Sequence, residues 1–290
     1  MTDPGFAVPP LACDCHMHIF GDPARYPPAA WRAYNPMPMG LDHYNAEAAR
    51  MGFARVVFVQ PSAYGTDNRC MRDALLARGP SSRGVAVIDA ATPAAELAAM
   101  AALGVRGVRL NLVSNGIPDP PAAIAQLRAA AARIAPLGWH LQLYARPELF
   151  TALAPALADL GVPVVVDHMG ATDGMLAATR PGFDALLRLL ADGIAWVKLS
   201  GANRVSRQAA GFRDAVPVIA ALVAANPARA VWGTDWPHIG PHLAGAPLPV
   251  IYLPHDNLAL LGLLGTAVPD AAARHRILVE NPAALYGFPT

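Results

Sequence analysis

The feature that most constrains this chain is an eightfold repetition of a short strand-like run followed by a longer segment rich in alanine and leucine. The strand-like runs fall at 11–20, 55–60, 84–89, 105–113, 140–144, 162–168, 195–200 and 230–235. The helix-like segments between and after them fall at 41–51, 68–78, 94–102, 120–135, 147–160, 181–191, 209–225 and 256–264. Strict β–α alternation calls for a parallel sheet, because parallel neighbours need a crossover long enough to hold a helix. Eight such units favour closure into a (β/α)8 TIM barrel of the α/β class. A length of 290 residues suits one barrel domain spanning 1–290. The tail 271–288 reads as a closing helix plus a short cap, and the proline-rich stretches 23–38 and 240–254 read as long loops over the barrel mouth. No Gly-x-Gly-x-x-Gly follows the first strand, which removes the main support for a dinucleotide fold.

Composition narrows the function classes. Hydrophobic residues make up 54% and charged ones 15%, which predicts a large core and argues against disorder. A net charge of +1 leaves no footprint for nucleic acid or an anionic membrane. Three cysteines cannot all pair, and Cys13 and Cys15 share a strand face, a poor geometry for bridging each other. With no basic-then-apolar leader and no uncharged apolar run near ~18 residues, the expectation is a soluble, cytoplasmic protein.

Side chains alternate along a strand, so residues two apart share a face. In Asp14-Cys15-His16-Met17-His18 this sets Asp14, His16 and His18 together, with Cys15 and Met17 opposite. In the fourth run Arg109 and Asn111 face the interior, in the fifth His140, Gln142 and Tyr144, and in the seventh Lys198 and Ser200. A polar interior costs free energy unless its groups are paired. Lys198 and Asp14 are expected to pair low in the barrel, in a structural role.

Active sites of such barrels sit at the C-terminal ends of the strands. Four ends stand out: His16 and His18 on the first, Gln60-Pro61-Ser62 on the second, Asp167-His168-Met169-Gly170 on the sixth, and Gly233-Thr234-Asp235-Trp236-Pro237-His238 on the eighth. A carboxylate facing histidines across a barrel mouth is placed to act as a general base. His43, His242, His255 and His275 lack such a setting and read as surface or loop residues.

The Asp-x-His-x-His of strand one, the histidine of strand six and the Gly-Thr-Asp of strand eight resemble the amidohydrolase superfamily. The stretches 14–21 (DCHMHIFG), 60–68 (QPSAYGTDN), 167–170 (DHMG), 197–204 (VKLSGANR) and 233–238 (GTDWPH) resemble its branch of pyrone-dicarboxylate, sugar-lactone and muconolactone enzymes, over nearly the whole chain. Metal-dependent members of the superfamily add a histidine on strand five, and binuclear ones a lysine or glutamate on strand four. Here those places hold Tyr144 and Leu110-Asn111-Leu112. The resemblance therefore implies an enzyme without a metal cofactor; if a divalent ion such as zinc is bound, His16, His18 and Asp235 are the ligands.

A metal-free route follows. Asp235 takes a proton from water, which attacks a lactone carbonyl polarised by His16, His18 and His168. Arg109 and Arg204 are candidate carboxylate clamps. Ser62, Tyr144 and Tyr34 are hydrogen-bonding candidates, and His238 lies just beyond the base. Arginines of the pyrone-dicarboxylate enzymes match Asn115 and Ala171 here. The expected substrate is thus a lactone with an acid group and with hydroxyls or a smaller ring, rather than pyrone dicarboxylate. Three other readings stay open: an aldarolactone isomerase on the same residues, a zinc-dependent decarboxylase or amide hydrolase, and a catalytically dead ligand-binding barrel.

Overall fold

A computed structural model describes residues 3–113, 119–174, 181–240 and 250–289. Eight parallel strands, in sheet order one to eight, form the barrel. They are β1 (Cys13–Met17), β2 (Arg55–Val59), β3 (Ser82–Ala86), β4 (Val105–Asn111), β5 (His140–Tyr144), β6 (Val164–Val166), β7 (Ala195–Leu199) and β8 (Ala230–Trp232). Closure of the eighth onto the first runs through the residues past their ends. The His18 amide donates to the Trp236 carbonyl (2.7 Å) and the Asp235 amide to the His16 carbonyl (2.8 Å).

The longer helices are α1 (Leu41–Met51), α2 (Arg69–Arg78), α3 (Ala94–Ala102), α4 (Pro120–Ile134), α5 (Pro147–Ala158), α6 (Pro181–Ala191), α7 (Val216–Ala225) and α8 (Asn257–Ala267), with shorter helical pieces at Ala202–Val205, Ala271–His275 and Asn281–Tyr286. Their ends lie where the sequence supplies caps. Gly52 stops α1 at φ 75°, a left-handed turn that glycine adopts without a Cβ clash. Asp119 accepts from the Ala122 amide (2.8 Å) ahead of Pro120, and Asp256 accepts from the Leu258 amide (3.0 Å).

Several expected boundaries move, three of them for a visible reason. The segment 209–225 becomes helical only after Gly211 and Phe212, which are both left-handed (φ 75° and 48°), with a 3-10 turn at Arg213–Ala215 leading into the α-helix at Val216. The third strand ends at Ala86 rather than 89, since the Asn68 side chain takes both backbone groups of Val87 (2.8 and 3.1 Å). The sixth strand is only Val164–Val166, and His168 to Ala171 leave it in four successive left-handed residues.

Two apolar layers result. Outward residues such as Val56, Phe58, Val108, Leu141, Leu143, Val166 and Leu199 pack beneath the helices. Inward residues Cys13, Cys15, Val57, Val59, Val85, Val165 and Val231 fill the barrel, and Tyr286 and Phe288 of the C-terminal tail join that cluster. All three cysteines are free and buried. Among the described residues, no helix is long and apolar enough to cross a membrane.

Strict alternation fails on β1. Asp14 pairs with Val56 and Met17 with Phe58, so three steps of β1 face two of β2, a β-bulge. Cys15 lies in the inner cluster and the His16 ring also reaches the interior, while Asp14 turns outward to the Tyr44 hydroxyl of α1 (3.0 Å). Asp14 therefore does not share a face with His16 and His18. Nor does it pair with Lys198, whose ammonium donates to the Cys15 carbonyl (2.8 Å) and Gln142 Oε1 (2.6 Å).

Candidate active site

At the C-terminal mouth, side chains from seven strand ends converge. His18, Ser62, Arg109, Tyr144, His168, Arg204 and Asp235 line one cavity with Tyr34, Asn111 and Ile239. With Arg204 lying across it onto Asp235, its free space is about 40 Å³, room for water.

Asp235 is the focus. Its Oδ1 lies 3.7 Å from His16 Nε2, 3.6 Å from His18 Nε2 and 3.7 Å from His168 Nε2. Its Oδ2 accepts from Arg204 Nε. Asp235 has φ 63°, a left-handed conformation uncommon for aspartate and typical of constrained functional positions. Burial alone would raise this carboxyl, but Arg204 and the neighbouring histidines hold it well below the usual carboxylate range.

Each histidine presents Nε2 to the focus because its Nδ1 is engaged behind. His18 Nδ1 lies 2.8 Å from the Val59 carbonyl, which can only accept, so Nδ1 carries the proton. His168 Nδ1 is 3.0 Å from Ser200 Oγ. His16 Nδ1 is 3.3 Å from Asp167 Oδ1. Burial lowers His168 to about 4 against the pull of Asp235, and burial lowers His16 well below 6.5 against the pull of Asp167. Both are neutral imidazoles at pH 7.

Behind the focus stands Asp167, a buried carboxylate named in the sequence only as part of a strand-end pair. Its Oδ2 accepts from Arg109 Nε (2.9 Å) and Gln142 Nε2 (3.0 Å). Burial would raise it, yet His16, Arg109 and Lys198 keep it well below its usual value. Strand phase carried the signal: Val165 faces inward, so Asp167 two residues on does too. Burial lowers the Lys198 ammonium to about 8, with Asp167 opposing.

His238, expected near the substrate, lines a neighbouring cavity of about 260 Å³ with Glu47, Trp236 and His255, and its Nε2 faces Asn257 Oδ1 (2.9 Å). The remaining nine candidates are brought to the mouth; of these His16 lies beneath its floor. His43 and His275 are exposed, and His255 is half-buried. Asn115 and His242 lie outside the described residues.

The donor set also passes a test for a divalent ion. Oδ1 of Asp235 and Nε2 of His16 are buried without a hydrogen-bond partner. Donor atoms of His16, His18 and Asp235 lie within 4.8 Å of one another, as do those of His16, Asp167 and His168. Neutral imidazoles with Nδ1 held by a carbonyl, hydroxyl or carboxylate are the usual form of metal-binding histidines. An ionised carboxylate facing three imidazole nitrogens at 3.6–3.7 Å suits a positive group between them, a shared proton or a cation.

Residues 13–288 match the model of the family described as Amidohydrolase. A 2-pyrone-4,6-dicarboxylate hydrolase of Comamonas testosteroni is 34% identical over 98% of this chain and 93% of its own. A 4-sulfomuconolactone hydrolase of Rhizobium radiobacter is 32% identical over 97% of this chain and 92% of its own. A D-galactarolactone isomerase of Agrobacterium fabrum is 30% identical, covering 98% and 94%.

Proposed function

The chain belongs to the amidohydrolase family, and on that footing we propose that it hydrolyses a small lactone bearing a carboxylate. The observation that carries this reading is the convergence of three Nε2 atoms on Asp235 Oδ1 at 3.6–3.7 Å. Relatives whose names specify opening of a pyrone and of a muconolactone point to the same chemistry.

The steps follow from the side chains. Asp235, ionised, takes a proton from a water at the focus as that water attacks the lactone carbonyl. The carbonyl oxygen becomes an oxyanion facing the Nε2 atoms of His16, His18 and His168, where a shared proton would stabilise it. The ring C–O bond then breaks, and the leaving oxygen takes the proton that Asp235 accepted. The new carboxylic acid ionises, so one proton is released per turnover. A divalent ion bound by His16, His18 and Asp235 would supply the polarisation of the carbonyl and the acidification of the water.

Arg109 and Arg204 flank the cavity as carboxylate partners, with Tyr34, Ser62 and Tyr144 as hydrogen-bonding groups. Arg204 sits on Asp235, so an arriving carboxylate competes for its fork and uncovers the base. With Ala171 in place of an arginine, the substrate is a lactone with hydroxyls or a smaller ring rather than a pyrone dicarboxylate. The setting is the cytoplasm, which the three free cysteines support.

The test is a panel of sugar-acid lactones and muconolactones followed by proton release, with Asp235→Asn beside the wild type. Loss of the base should lower kcat by about 10²- to 10⁴-fold in a folded variant; near-normal turnover removes Asp235 from that role. Metal content of the purified protein, with activity after chelation, decides the cofactor: the metal-free route fails if a stoichiometric zinc restores activity. The isomerase-named relative keeps a second reading in view. NMR of a galactarolactone separates the two, since a new ring without water uptake means isomerisation.

A further inference from the structure

The chain contains 22 lysines and arginines, and Lys198 is its sole lysine. It is fully buried inside the barrel, where it donates to the Cys15 carbonyl and Gln142 and lies 3.9 Å from Asp167 Oδ1. We propose that Lys198 is a positioning residue: from inside the barrel it holds the Cys15 carbonyl of the β1 bulge, while Asp14 holds the His16 amide from outside, and together they set His16 beside His18 at the mouth. The activity arm of its test rests on the lactone-hydrolase reading; the geometry does not.

A bulge has a specific consequence at this point. Regular alternation after Cys15 would send His16 outward, because a one-residue slip exchanges the faces of a strand. The extra residue keeps both Cys15 and His16 inward. The backbone groups at the irregularity find side-chain partners on both faces. The His16 amide donates to Asp14 Oδ1 (3.1 Å), and the Cys15 carbonyl accepts from Lys198 Nζ (2.8 Å).

Both side chains are themselves anchored to distant parts of the fold. Asp14 accepts from the Thr234 amide (2.9 Å), the Thr234 hydroxyl (2.6 Å) and the Tyr44 hydroxyl (3.0 Å). Lys198 also donates to Gln142 Oε1 (2.6 Å), whose amide nitrogen donates to Asp167. On the β8 side Gly233 lets the bulge approach, since a Cβ there would lie 2.7 Å from the His16 nitrogen. The compact ammonium serves two acceptors set at an angle, a task for which the flat guanidinium fork is poorly shaped. That explains one lysine in a chain that otherwise uses arginine.

Lys198→Met removes the inner hold and leaves an apolar side chain among Cys13, Cys15 and Val231. The expected result is a kcat lower by about 10- to 100-fold with KM within about threefold, because His16 acts in the transition state. In ¹⁵N-histidine spectra the His16 Nδ1–H signal should be lost while that of His18 on Val59 persists. Asp14→Asn should give the same signature from the outer face. The double variant should fall no further than the worse single, since both act on one bulge.

Unchanged kcat in a folded Lys198→Met, a retained His16 signal, or additive losses would overturn the proposal. If wild-type protein opens no lactone, the hydrolase reading fails and the ring spectra still decide the positioning role. Should neither variant fold, the wild type answers: the single lysine gives one unambiguous Nζ resonance. A slowly exchanging ammonium coupled across its hydrogen bond to the Cys15 carbonyl is expected, and a fast-exchanging one refutes the contact.

Discussion

Lowering the pH from 7 to 4.5 should bring this protein close to unfolding; three buried histidines set a floor for the effect, and His16, lowered by burial as well, adds in the same direction. His140 lies against the Tyr286 ring (centroids 5.3 Å apart), where burial pushes it down to about 3. Burial lowers His168 and His238 to about 4, with Asp235 pulling both the other way. In the unfolded chain each titrates near ~6.5. Their folded values lie below the unfolded ones, so the unfolded state binds more protons between those limits. The stability they contribute is complete above ~6.5 and is lost as the pH falls toward ~4. At pH 4.5 the loss is about 2.5 kcal/mol for each histidine.

Asp14 acts with the opposite sign. Burial raises it to about 6, partly offset by its Thr234, His16 and Tyr44 hydrogen bonds. A raised folded value means its contribution is present at low pH and lost as the pH rises through 6. Acidification to pH 4.5 therefore returns about 2 kcal/mol. Without the share of His16 the net loss is already about 5 kcal/mol, comparable with the whole stability of a typical domain, about 5–15 kcal/mol. Guanidinium midpoints followed by tryptophan fluorescence at several pH values between 7 and 4.5 measure it. His140→Leu removes one share, so its drop should be smaller by about 2.5 kcal/mol. A wild-type loss under about 2 kcal/mol, or the same slope in His140→Leu, refutes the reasoning.

Gly201→Ala places a Cβ 2.8 Å from His168 Nδ1 at a φ of 66°; it should cost about 1–2 kcal/mol and lower kcat, read by melting and lactone assay. Ala171→Gly relieves the last of four left-handed residues, φ 49°, 55°, 68° and 51°, and should raise the denaturation midpoint by about 1 kcal/mol; a loss of stability would mean that the alanine methyl is packed better than its backbone is strained. Tyr44→Phe removes a hydrogen bond to the charged form of Asp14 (3.0 Å). It should cost about 1–3 kcal/mol, more at pH 8 than at pH 5, and an equal cost at both would place the hydroxyl elsewhere.

The barrel and most of the mouth were legible because their signals are local. Helix boundaries at 41–51, 94–102 and 181–191 coincide with those observed. The inward phase of Arg109, Gln142 and Tyr144 follows from the leucines between them, which pack under the helices. What escaped was decided over long sequence distances. The pattern Asp-x-His-x-His reads as one face at period two, and nothing within five residues announces the extra residue. Its partners are Lys198, 183 positions from Cys15, and Thr234, 220 positions from Asp14. His238 misled for the reverse reason. Three residues from Asp235 in sequence, it lies past the strand end, where the chain turns and the ring finds Asn257 on α8 instead of the mouth. Proximity in sequence places a residue near a site only while the backbone keeps a regular period. Where a bulge or a strand exit breaks that period, the hydrogen-bond partners decide which way a side chain points. That is why His16 and His18, two residues apart and on one face, reach the mouth together although the alternation breaks just before them.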